Sequence, residues 1–386
     1  MVRAGERMTV GLVAHYLGAR MGIGTYMDRL LPPLLAELAS KGIDAVVVAS
    51  PNALEQTPAI RALQVRSPHL VKVLPQLDYS PFKRFGWLAT KFAGFCKAQG
   101  IDRILWFSNP MVLPWHVPSI AVLHDVNEWK AKEKYGSRLK TTLRAWMYLD
   151  ASLAWAKKII CVSDATMKDL LYFRPDPEIQ QKVRSIPNGL DSPLTEIEPA
   201  KIAVPEVPFL LSVGRIDPAG KRLPEAVALV EQLREQSGVP WELHLAGGMN
   251  SSTQAAGEAF LRSVEKLDWV HYHGYADDVN LAAWYRCATA VVFLSENEGF
   301  GIPVAEAASF GKRVIVNGKS EATQGAGGDA VIAVDTGDVA AGARVVLKQV
   351  DAEKESGAMA VSAEVYSYAD AASVYAAEIC EVMAVA

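Results

Sequence analysis

Residues 289–316 read TAVVFLSENEGFGIPVAEAASFGKRVIV. The opening TAVVFLS is apolar and β-branched without alternation, the pattern of a strand covered on both faces. Pro303 suits the first turn of a helix, where its missing N–H would have been an orphan in any case, and Gly311 suits the residue that ends it. KRVIV then starts another apolar strand, so the stretch is the strand, helix, strand unit of a parallel sheet. Glu298 falls in the loop and Glu306 inside the helix. The two cannot share a face, which argues against an acid and base pair working across one atom and for two separate contacts along an elongated ligand. Gly299 and Gly301 let main-chain amides approach an anion, and the helix N-terminus adds about half a positive charge there. A nucleotide sugar suits that spacing, with its diphosphate between the two carboxylates. The plain alternative is that EGFG is an ordinary turn and Glu306 answers the helix dipole, and local sequence leaves both readings open.

The same alternation runs outward from this stretch. TVGLVAHY, DAVVVAS, RILWFS, SIAVLHD and KIICVS alternate with helical patterns in the first half; FLLSVGR, WELHLAG and WVHYHGY do so in the second. Between them, SIPNGLDSPLTEIEPAKIAVPEVP breaks the pattern at about 190–207, the place for a linker. The expected fold is α/β, with two Rossmann-like doubly wound domains at 1–195 and 196–365. A closing helix at 366–386 has no strand after it, so it packs outside its sheet or returns to the first domain. Open parallel sheets bind ligands at the carboxyl ends of their strands, and two facing each other would form a cleft lined by the loops of both.

Composition narrows the function classes. The chain has 386 residues, is 50% hydrophobic and 21% charged, and carries a net charge of -4, which excludes a strongly basic nucleic-acid-binding domain. Its four cysteines stand far apart with no CxxC, so neither a disulfide framework nor a zinc site is expected, and the setting reads as a reducing cytosol. His15, His69, His116, His244, His271 and His273 form no metal-binding set. No apolar run approaches the roughly 18 residues of a spanning helix.

Loops after strands are therefore the places to look for chemistry. SVGRIDPAGKR places Arg215 and Lys221 where positive charge would gather a departing diphosphate; the alternative is a solvated loop. ARMGIGTYMDRL places Gly22 and Gly24 between a strand and a helix, as in phosphate-binding turns, with Thr25 beside them. His124 and Asp125 end the strand SIAVLHD. Gly274 and Tyr275 follow a strand of the second domain, at a loop placed to meet a nucleotide base. SPFKRFGWLATKFAGFCKAQG puts Phe85, Leu88, Phe92 and Phe95 on one helical face, with Lys83, Arg84, Lys91 and Lys97 elsewhere around it. That is an amphipathic core helix or a face for an anionic bilayer, and SRLKTTLRAWMYLDASLAWAKK adds Lys140, Arg144, Trp146 and Trp155 to the second reading.

ENEGFGIPVAEA resembles the E-x7-E motif of the retaining GT-B glycosyltransferases of family 4, the group 1 glycosyltransferases. GIGTYMDRLL, AVLHD, KIICVSDATMKDLL, SIPNGLD, LLSVGRIDPAGK, HLAGG, VHYHGYADDVNLAAWYRCATAVVF, GGDAVIAVD and YSYADAASVY match that family in order along nearly the whole chain. The resemblance implies a GT-B arrangement with no cofactor and no metal. A nucleoside diphosphate sugar would bind the second domain and a sugar or lipid-linked acceptor the first, with peripheral association at an anionic membrane surface from the cytoplasmic side. It implies that Glu298 contacts donor-sugar hydroxyls, Glu306 the ribose, and Gly299, Phe300, Gly301 and Ile302 the sugar and phosphates. Arg215 and Lys221 would stabilise the leaving group, His124 would lie near the transferred sugar, and the loop with Gly22, Gly24 and Thr25 would be mobile and cover the diphosphate. Two departures stand out: the lysine lies one residue further from the arginine than the family pattern, which admits Arg222 in its place, and NGKSEATQGAGGDA lacks the Pro-Glu that often precedes Gly-Asp. A sugar phosphorylase, a nucleotide-sugar epimerase and a non-catalytic nucleotide-sugar-binding protein are the competing readings.

Overall fold

The computed structural model describes residues 8–15, 22–108, 110–130, 137–251, 253–356 and 366–384. The chain divides into two compact units, one running to Gly189 and resuming at Tyr366, the other spanning Leu190–Val365.

The first unit is built on a parallel sheet of β1 (Thr9–Ala14), β2 (Asp44–Ala49), β3 (Val71–Val73), β4 (Arg103–Trp106), β5 (Ser119–Leu123), β6 (Lys158–Cys161) and β7 (Val183–Ser185), ordered β3-β2-β1-β4-β5-β6-β7. Its central strands are buried along their length, as unbroken apolar runs require. The C-terminal helix Tyr368–Ala384 belongs to this unit and packs on the helix Gly22–Ser40. The buried hydroxyls of Tyr26 and Tyr375 lie 2.7 Å apart, and Lys158 Nζ reaches Glu378 at 3.0 Å and Glu381 at 2.8 Å.

The units meet six residues before the expected position, between Gly189 and Leu190. Residues just past that point spend their polar groups on the second unit. Leu190 O accepts from Ser309 Oγ at 2.5 Å, and Arg286 donates to the carbonyls of Thr195 and Ile197 at 2.7 and 2.9 Å. Loss of periodicity marks where regular structure stops, whereas the boundary is set by hydrogen bonds to distant residues.

Only one of the two readings of the helical run from Pro81 to Ala98 survives. Leu88 and Phe92 are buried in the core, and Phe85 and Phe95 pack against it, so the apolar face looks inward. Arg84, expected on the basic side, is 1% exposed and donates to the carbonyls of Leu77 and Tyr79 and to the Tyr148 hydroxyl. A guanidinium offers five donors, and three local acceptors make its burial tolerable.

His15, just after β1, is 1% exposed, and neither ring nitrogen has a hydrogen-bond partner among the described residues. Burial, and then the charge of Arg84, push its pKa down to about 3. The unfolded chain therefore takes up a proton at this position below about pH 6.5 while the folded chain does not, so stability should fall as pH drops from 6.5 towards 3. Melting curves should show a smaller loss of Tm between pH 7 and 5 for His15→Leu than for the native chain; parallel losses would exclude His15 as the source.

The second unit is a parallel sheet of β8 (Phe209–Val213), β9 (Glu242–Ala246), β10 (Val270–Tyr272), β11 (Ala290–Phe293), β12 (Val314–Asn317) and β13 (Val331–Val334), ordered β10-β9-β8-β11-β12-β13. Chain order reverses between β8 and β11. Connections leave that point towards opposite faces, which opens a crevice at the carboxyl ends of the two strands.

Candidate functional site

The loops following β8 and β11 carry most of the residues singled out in the sequence, and side chains stitch them together. Lys221 Nζ sits 2.5 Å from Glu298 Oε1 and 4.6 Å from the centre of the Phe293 ring. Arg222 reaches across to Glu296 at 2.5 Å and back to Glu225 at 2.8 Å. Ser295 Oγ donates to Gly220 O at 2.9 Å. From the next loop, Asn317 Nδ2 donates to Leu294 O at 3.3 Å. A lysine and a glutamate 77 positions apart thus meet because β11 lies beside β8.

The extra residue between Arg215 and Lys221 coincides with a backbone feature. Arg222 has φ 49°, the one non-glycine with positive φ among the described residues, and it precedes the helix Leu223–Ser237. Its side chain is committed to Glu296 and Glu225, and Lys221 is the cation that meets Glu298. Arg215 is 3.4 Å from Asp217 and partly exposed. Gly214, ahead of it, has φ 139°, and its main chain approaches Gly247 so closely that 247 must be glycine: a Cβ there would lie 1.8 Å from Gly214 O.

The helix expected after EGFG runs Ile302–Ser309 with Pro303 in its first turn. Gly301 precedes it with φ 104°, a left-handed conformation that favours glycine, and no side chain caps the helix. Phe300 is buried, while Gly299 and Ile302 are half-buried. Glu306 is 5% exposed and accepts from the Tyr285 hydroxyl at 2.9 Å. The two glutamates therefore differ in kind: Glu298 is ion-paired at the loop surface, whereas Glu306 is packed into the helix wall beside a phenol. Gly274, φ 68°, follows edge strand β10 and accepts from Gly247 N at 2.7 Å; Tyr275 beside it is exposed.

In the first unit, His124 follows β5. Its Nε2 is 2.7 Å from Phe107 O, and because a carbonyl only accepts, Nε2 carries the proton and Nδ1 is left as an acceptor. Burial lowers its pKa against the opposing pull of that carbonyl, which keeps the ring neutral. The Tyr26 ring stands edge-on to it at 4.9 Å. Asp125 accepts from Asn127 N at 2.9 Å, a loop-shaping bond. Gly22, Gly24 and Thr25 lie in the first turn of the helix Gly22–Ser40, not in a turn ahead of it as expected. Residues 16–21, just before them, lie outside the described residues.

His244, His271 and His273, expected to form no metal-binding set, meet with Glu242 on one face of the sheet edge formed by β9 and β10. Their places on neighbouring strands put His271 opposite His244 in register, which no local pattern announces.

Two parallel-sheet α/β units, each with its candidate residues at strand ends, define a GT-B protein. Solved structures agree on the fold: sucrose-phosphate synthase from Thermosynechococcus elongatus superposes with a TM-score of 0.70 at 18% identity over 98% of this chain and 100% of that one. Two family models divide the chain between them, Glycosyltransferase Family 4 over residues 22–192 and Glycosyl transferases group 1 over 195–360. The chain belongs to the family 4, group 1 glycosyltransferases. Among curated proteins it is 32% identical to the D-inositol 3-phosphate glycosyltransferase of Frankia alni over 38% of this chain, and 25% identical to the O-antigen chain mannosyltransferase B of Escherichia coli over 57%. The matched stretches span 33% and 58% of those two relatives.

Proposed function

We propose that the chain transfers a hexosyl-type sugar from a nucleoside diphosphate sugar to an acceptor hydroxyl with retention of configuration, using no cofactor. The observation that carries this reading is the Lys221–Glu298 pair at the switch point of the second unit. The two charges satisfy each other. A donor exchanges both partners: its diphosphate takes Lys221, and the sugar hydroxyls donate to Glu298. Arg215 adds a guanidinium fork on the side where the leaving group gains charge. Main-chain amides around Gly299, Phe300, Gly301 and Ile302 meet the sugar and phosphates, and Glu306 takes the ribose. Gly274 and Tyr275 are assigned to the base.

The bond from the anomeric carbon to the phosphate oxygen breaks with its electron pair passing to the diphosphate, leaving an oxocarbenium-like sugar. The acceptor oxygen bonds to that carbon on the face the phosphate leaves, and its proton passes to a phosphate oxygen. The acceptor belongs to the first unit, whose Gly22, Gly24 and Thr25 are assigned to the donor diphosphate and whose His124 offers Nδ1 to a hydroxyl of the transferred sugar.

A thermal-shift screen of UDP-, GDP- and ADP-hexoses tests the donor class. A true donor at 100 times its dissociation constant should stabilise by about 2.7 kcal/mol. Proton NMR of the product then reads the anomer: the donor's configuration supports retention, and the opposite one removes it. An epimerised donor formed without acceptor would favour the epimerase reading.

The patch proposed for peripheral membrane association keeps Lys83, Lys140 and Trp146 of the sequence reading and drops Leu88 and Phe92, which are buried in the core. Phe82, Leu139 and Trp146 are exposed, Phe85 touches the Trp146 ring at 5.9 Å, and Lys83 and Lys140 are exposed beside them in sequence. Cosedimentation with anionic vesicles should exceed that with neutral ones and fall in Phe82→Ser with Trp146→Ser; equal pelleting would reject it. Among the described residues no helix is long and apolar enough to cross a membrane.

A further inference from the structure

We infer that Glu242, His244 and His271 form a binding site for a divalent transition cation of the zinc class, on the outer part of the second sheet and away from the Lys221–Glu298 pair. Each offers one ligand atom, and the three atoms lie within 4.8 Å of one another. His244 Nε2 is 2.9 Å from Glu242 Oε2, and His271 Nε2 is 3.5 Å from the same oxygen. Ligands about 2.0–2.1 Å from a tetrahedral centre stand about 3.3 Å apart, so these separations bracket what such an ion imposes. His271 Nε2 is buried and has no hydrogen-bond partner, although a nitrogen so placed would ordinarily have one. Two imidazoles and one carboxylate select zinc-like ions over magnesium or calcium, which take oxygen ligands.

His273 completes the arrangement from behind. Its Nε2 is 2.9 Å from His244 Nδ1. Without a cation, His244 Nε2–H donates to Glu242, and His273 Nε2–H donates to His244 Nδ1. With a cation on His244 Nε2, that proton moves to Nδ1 and donates to His273 Nε2, whose own proton moves to its Nδ1. No net proton is gained or lost, and the ligand ring acquires the outer hydrogen bond that metal-binding histidines almost always make. Glu242, His244, His271 and His273 line one pocket together with Ile202, Val204, Pro205 and Trp284. The ligands come from β9 and from the three-residue edge strand β10, so the ion would fasten that short strand to the sheet.

The test is titration of the untagged, chelator-stripped full chain with Zn2+ against a chromophoric chelator, with circular dichroism as the check on folding. One equivalent should bind to the native chain and to His69→Gln, whose histidine lies in the first unit, and none to His271→Gln or Glu242→Gln. Mg2+ should not compete. Failure of the native chain to bind, or native affinity in His271→Gln, overturns the site. Should both variants unfold, X-ray absorption of the zinc-loaded native chain decides: a shell with two imidazoles supports the assignment, and an all-oxygen shell overturns it.

Discussion

Lys221→Ala and Glu298→Ala are each expected to lower turnover by at least about tenfold, or about 1.4 kcal/mol of transition-state stabilisation. Lys221 is held by Glu298 on one side and by the Phe293 ring on the other, which fixes the ammonium above the loop rather than in solvent. On the proposed reading, its removal takes away the charge that would balance the departing diphosphate and leaves Glu298, a carboxylate that would face an incoming polyanion, without its counter-charge. On the same reading, removal of Glu298 leaves the lysine but loses the acceptor for the sugar hydroxyls. Because the two side chains touch, their losses should not add: the double variant should fall short of the product of the single effects. Steady-state kinetics of folded variants measures this. Near-native turnover in both single variants would refute the assignment, and additive losses would show that the pair does not work as a unit.

Gly247→Ala should be the most damaging small substitution in the second unit. The added Cβ would lie 1.8 Å from the carbonyl oxygen of Gly214 and 2.5 Å from its carbonyl carbon, both main-chain atoms that cannot swing aside. Gly247 N is bonded to Gly274 O and Gly214 N to Ala246 O, so relief requires moving at least two strand ends. Overpacking of this kind costs about 1–3 kcal/mol, which lowers Tm by several degrees. The displaced segment leads straight into Arg215, so donor affinity should fall with stability. Native Tm and donor affinity in Gly247→Ala would contradict this packing. Gly248→Ala is the control, since nothing lies within 4 Å of its added Cβ.

Elements built from local periodicity were legible in the sequence. Residues 289–316 announce a strand, a helix beginning near Pro303 and a second strand, and β11, the helix Ile302–Ser309 and β12 lie there. The residues that partner the site were not. Tyr285 lies 21 positions from Glu306, and Glu296 lies 74 from Arg222; only the strand order brings them together. Arg84 looked like a solvent-facing charge because helical periodicity gives the face of a residue but not the acceptors that Leu77, Tyr79 and Tyr148 supply. His244 of β9 and His271 of β10 escaped for the same reason, since cross-strand register pairs positions that metal-ligand spacing rules do not scan.

Isothermal titration of the native chain and of Lys221→Ala with nucleoside diphosphate sugars tests the donor site most directly. One of the UDP, GDP or ADP series should give heat that saturates at one ligand per chain, with the affinity at least about tenfold weaker in the variant. Flat traces from the folded native chain across the whole series, or equal affinity in the two proteins, would contradict it.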